Sequence, residues 1–196
     1  MTDWWAKLLG DKRELELLHE HLAGSNHLII HDGSSYYWKL GDFPEDEEST
    51  DLQDQLSRSL AILNGAAILR FEKFSGVSSF SVFKFNQDGT KTGYGFLTLP
   101  ERSLILTLPA LPDETLVNWV SAARKNGMIE RALSLYGTLE HTWKNLYMVI
   151  EIVEDDLGGE SDLLNSGWVP SEMIKLFKRT ANSFQVLGKD ARNATT

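Results

Sequence analysis

The chain contains no cysteine, which excludes disulfides and thiolate metal sites. That absence fits a reducing compartment. Positive charge is scarce: 19 lysines and arginines stand against 28 aspartates and glutamates, a formal net charge of −9. The balance argues against a dedicated nucleic-acid binder, whose footprint is a basic face, but leaves room for a local basic patch. No apolar run approaches the roughly 20 residues of a membrane span. The first residues lack the charged-then-apolar order of a signal peptide, because Asp3 and Trp4-Trp5 lead quickly into charge. Together these features predict a cytoplasmic protein with no membrane segment. No internal repeat, low-complexity tract or heptad run is present. No glycine-rich phosphate loop, nucleophile elbow or Ser-His-Asp arrangement can be recognised, and no cofactor is implied.

What is present is an ordinary globular composition, with 42% apolar and 24% charged residues in a chain of 196. That length suits one large domain or two small ones. Asp3–Leu9 reads as a first strand. Asp11 is a plausible cap for a helix carrying Leu15, Leu17, Leu18 and Leu22, which stops at Gly24. His27–His31 and Tyr36–Leu40 read as strands joined by a two-residue Asp32-Gly33 turn. The acidic run Asp42–Glu48 precedes a helix with Leu52, Leu56, Leu60, Leu63 and Ala67, and acidic residues suit the positive N-terminal end of a helix. Gly76–Phe85 reads as a strand whose alternation slips between Val82 and Phe83, predicting a bulge. Asp88-Gly89 is a second turn, and Tyr94–Leu99 and Leu104–Leu108 are further strands.

Beyond Pro109–Pro112 every periodic segment is helical: Thr115–Lys125, Ile129–Tyr136, and a long helix on which Leu139, Trp143, Leu146, Tyr147, Ile150 and Val153 share one stripe. Gly158-Gly159 ends that helix. Gly167-Trp168 marks a turn, and Pro170 opens a last helix with Met173, Ile174, Phe177 and Ala181 as its apolar stripe. The predicted fold class is α+β: a mainly antiparallel N-terminal sheet with two helices, then a C-terminal helical bundle. The expected domains are residues 1–110 and 111–196, with a linker short enough that they share a core. The aromatics Trp143, Tyr147, Trp168 and Phe177 are expected between the last helices.

Few residues suggest chemistry. His19-Glu20-His21 looks metal-like, but i and i+2 diverge by about 200° on a helix; zinc motifs use i, i+4. His27 and His31 flank a strand beside Asp32 and are expected to face solvent. Glu151, Glu154, Asp155 and Asp156 cluster at the end of the long helix, where carboxylates oppose the macrodipole and require compensation. A bound Mg²⁺ or Ca²⁺ is one solution. The favoured one is basic side chains from a neighbouring helix. Residues 140–162 carry seven acidic side chains and one lysine, whereas residues 171–192 carry five basic and two acidic ones. Lys175, Lys178 and Arg192, with Arg179 and Lys189, are also the candidate contacts to a phosphate backbone.

His31-Asp32-Gly33 before Tyr36-Tyr37, and Leu63-Asn64-Gly65-Ala66-Ala67, resemble a group of bacterial proteins without an assigned activity. Trp143, Leu146, Tyr147, Gly158-Gly159, Gly167-Trp168, Thr180-Ala181-Asn182-Ser183 and the Gly188, Ala191, Arg192 pattern resemble the same group. The helical half is also similar to HEPN-type domains, which are helical bundles, often dimeric, of RNA-cleaving toxins and defence proteins. That resemblance implies RNA processing through an Arg-polar-His signature. Arg192-Asn193 matches its first half, and no histidine follows; Phe184, Gln185 and Val186 after Arg179 hold none either. The implied member is therefore an RNA-binding rather than an RNA-cleaving one. The leading expectation is a non-enzymatic interaction protein that self-associates, as a dimer or with a protein partner, through its helical half. RNA binding by an HEPN-like module is the alternative.

Overall fold

The computed structural model describes residues 2–24, 28–43, 49–71, 73–85, 90–96, 115–137, 142–187 and 191; of residues 2, 3, 42, 43, 49, 50 and 184 the backbone alone is described. The protein is α+β. An antiparallel sheet of five strands has the order β2-β3-β1-β4-β5. Its strands are β1 (Thr2–Lys7), β2 (Ile29–His31), β3 (Tyr36–Phe43), β4 (Ser81–Phe85) and β5 (Lys91–Gly95). Helices α1 (Lys12–Leu22) and α2 (Ser49–Arg70) fall between strands. All the later described elements are helices: α3 (Thr115–Ala123), α4 (Gly127–Gly137), α5 (Trp143–Leu157), α6 (Glu160–Asn165), α7 (Ser171–Ala181) and the short α8 (Phe184–Leu187). Among the described residues no helix is long and apolar enough to cross a membrane.

Local chemistry accounts for many of the boundaries. Asp11 caps α1, its side chain accepting from the Arg13 amide at 2.9 Å. Thr142 caps α5 by accepting from the Asn145 amide. Gly158 ends α5 in the left-handed region, φ 101°, where a Cβ is costly. The link from β2 to β3 is longer than the expected two-residue turn. His31 pairs with Tyr36, and Asp32 gathers the loop by accepting from the amides of Ser34 and Ser35, each at 2.9 Å. The bulge also moves. β4 pairs without interruption, and the irregularity lies between Trp4 and Trp5 of β1, where Leu40 of β3 is the extra residue. The period slip in β4 was a misleading signal, because β4 turns aromatic residues to one face and Val82 to the other.

Trp4, Ala6, Trp38 and Val82 turn towards the helices and join Leu18, Leu22, Leu56, Leu63 and Ile68 in one core. Burying each of the larger side chains stabilises the fold by about 1.5–3 kcal/mol. Leu116, Val120 and Ala123 of α3 and Leu133 of α4 belong to the same core. Two helices beyond the expected domain boundary thus pack with the N-terminal half. Arg124, just after α3, lays its guanidinium over the Trp38 ring at 5.2 Å and donates from Nη2 to the Lys39 carbonyl at 2.6 Å. Pro109–Pro112 and the expected Leu104–Leu108 strand and Asp88-Gly89 turn lie outside the described residues.

The opposite sheet face is aromatic. Tyr37 meets Phe83 and Phe85 edge-on at 5.9 and 5.3 Å, and Phe85 meets Trp5 at 6.2 Å. Lys91 closes this cluster. Its Nζ lies 4.7 Å from the Tyr37 ring centre and 2.5 Å from Asp32 Oδ2. The sheet therefore curls enough to bring edge strand β5 within side-chain reach of the β2–β3 loop. The Lys91 ammonium, then the Ser34 amide, holds the Asp32 carboxyl well below the usual carboxylate range.

Candidate functional site

The most informative constellation lies where α5, α6 and α7 meet. Glu154 occupies the inner side of α5 one turn before its Gly158 end and is buried. Gly158-Gly159 reverses the chain, so that α6 begins at Glu160 beside it. Lys178 of α7 enters between the two carboxylates. Its Nζ lies 2.5 Å from Glu154 Oε1 and 3.1 Å from Glu160 Oε2, with the Lys178 side chain only 15% exposed. Burial alone would lower the Lys178 pKa, but the hydrogen bonds to Glu154 and Glu160 outweigh it and hold the ammonium above its ordinary value. This is the compensation that carboxylates at a helix C-terminus require.

The sequence-predicted metal residues separate on this geometry. Glu154 is turned to Lys178. Asp155 and Asp156 are exposed, and Glu151 is half-buried. Glu151, Glu154 and Asp155 line a pocket of about 330 Å³, together with Arg131 of α4. Basic side chains from two other helices thus stand around the cluster. Among the described residues no group of three or more histidine or acidic side chains is arranged to hold a metal ion.

The predicted basic residues separate likewise. Lys178 is closed into the triad and is not presented to a phosphate backbone. Lys175 is exposed and pairs with Glu172 one turn back, at 3.3 Å. Arg192 and Lys189 lie outside the described residues.

No family model, curated protein or solved structure matches the chain. What bears on function is the molecule's own surface.

There the aromatic residues divide. Trp143 and Tyr147 of α5 pack against Phe177 of α7, with ring centres 5.3 and 6.3 Å apart. This is the expected seam. Trp168 does not join it. It is 67% exposed, in the turn before α7. Val169 is 38%, Met173 60% and Leu176 53% exposed. Met173 and Leu176 are three residues apart and so share one side of α7, and Trp168 and Val169 stand in the turn that leads into it. Met173 and Trp168 were expected inside; both are outside. The reason is that α7 touches the rest of the fold by a narrow strip, through Ile174, Phe177, Lys178 and Ala181. A short helix that buries one strip leaves its other apolar residues in water. Only the pairing of α7 with α5 shows this, although the run of apolar residues around the helix, more than one strip can bury, was a usable signal.

The histidines behave as helical geometry predicts. His19 turns to His31 and Tyr36, with ring centres at 6.2 and 5.6 Å. His21 turns away, its ring against Phe71 at 4.9 Å and its Nδ1 2.9 Å from the Leu17 carbonyl. His27 lies outside the described residues.

Proposed function

We propose that the protein is a non-enzymatic interaction module that forms a homodimer through the open side of α7 and the turn before it. The observation that carries this reading is the exposed apolar run Trp168, Val169, Met173 and Leu176. Tryptophan and methionine are enriched in protein interfaces, and a central tryptophan is a frequent hot spot. Burying apolar surface yields roughly 25 cal/mol per Å², so a face of this kind is stabilised by a partner.

Charge favours a second copy as that partner. Glu172 stands near the start of α7 and Arg179 near its end, both exposed. A two-fold axis across the helix sets Glu172 of one copy against Arg179 of the other, so the face is complementary to itself. The reading is non-enzymatic because the ionic clusters described above, Glu154–Lys178–Glu160 and Asp32–Lys91–Tyr37, are closed on themselves.

Light scattering coupled to size exclusion tests this directly. The expected result is a dimer at micromolar concentration, and a monomer for Trp168→Ser combined with Met173→Ser. A strict monomer of the unaltered chain at high concentration would sink the proposal.

A further inference from the structure

We propose that the cleft between the β1–α1 turn and the β2–β3 loop binds a small phosphorylated molecule. The cleft has a volume of about 650 Å³ and is lined by Lys7, Lys12, His31, Ser34, Ser35 and Tyr36, among others. Sites for small ligands span about 300–1,000 Å³ and combine a few convergent polar groups with flat apolar walls. This cleft has both.

Its charge runs against that of the whole chain. The protein carries a formal charge of −9, yet two ammonium groups line this one depression. Lys7 has no ion-pair partner among the described residues. The partner of Lys12 is Glu16, a turn further along α1 at 3.6 Å, with side chains 86% and 47% exposed. A pair that open is worth little and is easily displaced. Glu16 is also the one carboxylate in the lining. Asp32 sits nearby on the loop but does not neutralise the lysines. Its Oδ1 accepts from the Ser34 amide, the Ser34 hydroxyl and the Ser35 amide, and its Oδ2 accepts from Lys91. The loop acid is thus consumed by the loop and by β5, and the cleft is left cationic.

The remaining lining suits a phosphate and a body attached to it. The Ser35 hydroxyl receives a long contact from Ser34 Oγ at 3.5 Å, and its own proton has no acceptor among the described residues. It can donate to a phosphate oxygen. His31 and Tyr36 form a wall, their ring centres 4.4 Å apart and their planes tilted by 33°. His19 supports that wall from behind, in contact with both rings. Lysines serve phosphate as mobile point charges, and hydrogen bonds to a charged oxygen are about twice as strong as neutral ones. The open space beyond the lysines is large enough for a sugar or a ring stacked on the wall. This inference is independent of the dimer, because α7 contributes nothing to the cleft.

The test is calorimetric titration of the full chain with inorganic phosphate and with adenosine monophosphate, in phosphate-free buffer at low ionic strength, with adenosine as the uncharged control. The expected result is saturable binding of a phosphate probe and none of adenosine at the same concentration. Lys7→Met and Ser35→Ala should each weaken binding by about tenfold, the loss of one charge-assisted hydrogen bond. Lys12→Met, at a side chain too exposed to affect folding, should weaken it as well. No saturable heat from either phosphate probe at millimolar concentration would overturn the proposal. So would binding that is equal in the unaltered chain and all three variants.

Discussion

Gly65 of α2 and Gly137 of α4 meet backbone to backbone. A Cβ on Gly137 would overlap the Ala61 carbonyl oxygen and the Gly65 amide, and one on Gly65 would overlap the Leu133 carbonyl oxygen. The two helices cross as closely as their main chains permit, and the crossing carries Leu133 into the core beside Leu63 and Ala66.

Either glycine replaced by alanine is therefore expected to force α2 and α4 apart. Overpacking of this kind costs about 1–3 kcal/mol, and here the obstacle is rigid main chain, so the upper end is expected. Gly127→Ala is the control. A Cβ there meets nothing within 4 Å, and alanine is the better helix former by about 1 kcal/mol. Urea unfolding should show a large fall for Gly137→Ala and none for Gly127→Ala. Equal midpoints would remove the close crossing.

Lys178 supports the C-terminal helices through two carboxylates at once. Lys178→Met leaves Glu154 buried and unpaired, and removing one member of such a pair costs about 3–5 kcal/mol. Adding Glu154→Gln should restore part of the loss, which a double-mutant cycle measures. The pH dependence has a definite sign. The folded pKa of Lys178 is raised above its ordinary 10.5, so its contribution is complete below that value and is lost as pH rises through the folded pKa. The alkaline fall in stability should therefore be shallower in Lys178→Met than in the unaltered chain; an unchanged alkaline limb is the result expected from a surface lysine and not from this one.

Asn64 is a buried amide on α2 that holds the main chain of Val77. It donates from Nδ2 to the Val77 carbonyl and accepts the Val77 amide at Oδ1, both at 2.9 Å. Asn64→Leu strips both bonds and leaves a buried N–H and C=O unmet. At about 1–3 kcal/mol for each orphaned group, the variant is expected to lose several kcal/mol and to expose residues 75–79 to proteolysis. A neutral variant would mean that water reaches Val77.

Salt should strengthen the proposed dimer. Each copy carries a formal charge of −9, so long-range repulsion opposes association; screening relieves it, costs little at the exposed Glu172–Arg179 pairs, and leaves the apolar contacts unchanged. Sedimentation from low to physiological ionic strength should show a rising dimer fraction. A falling fraction would mean that ion pairs, rather than Trp168 and Met173, hold the copies together.

Much of the architecture was legible because its causes are local. The Asp11 cap, the Gly158 stop and the stripe of Leu52, Leu56 and Leu63 act within a few residues of themselves, and each appears where the spacing predicts. The ion pairing at Glu154 was legible as a charge imbalance between two segments, though not as a choice of Lys178 over its neighbours. α6, the site of the bulge and the four-residue loop at Asp32 were not legible. Each depends on the pairing partner across the sheet or bundle.

The amino-acid order alone marked most of the described helices and the rough place of the strands, since hydrogen bonding and periodicity operate between near neighbours. β4 is nevertheless confined to Ser81–Phe85, and β5 runs over Lys91–Gly95, where strands Gly76–Phe85 and Tyr94–Leu99 were expected. Folding in three dimensions settled which apolar residues are covered. Trp143 opens α5 and Trp168 stands in the turn before α7, yet one meets Phe177 and the other is exposed. Burial depends on the element that arrives opposite, and α7 has an opposite neighbour along one strip only.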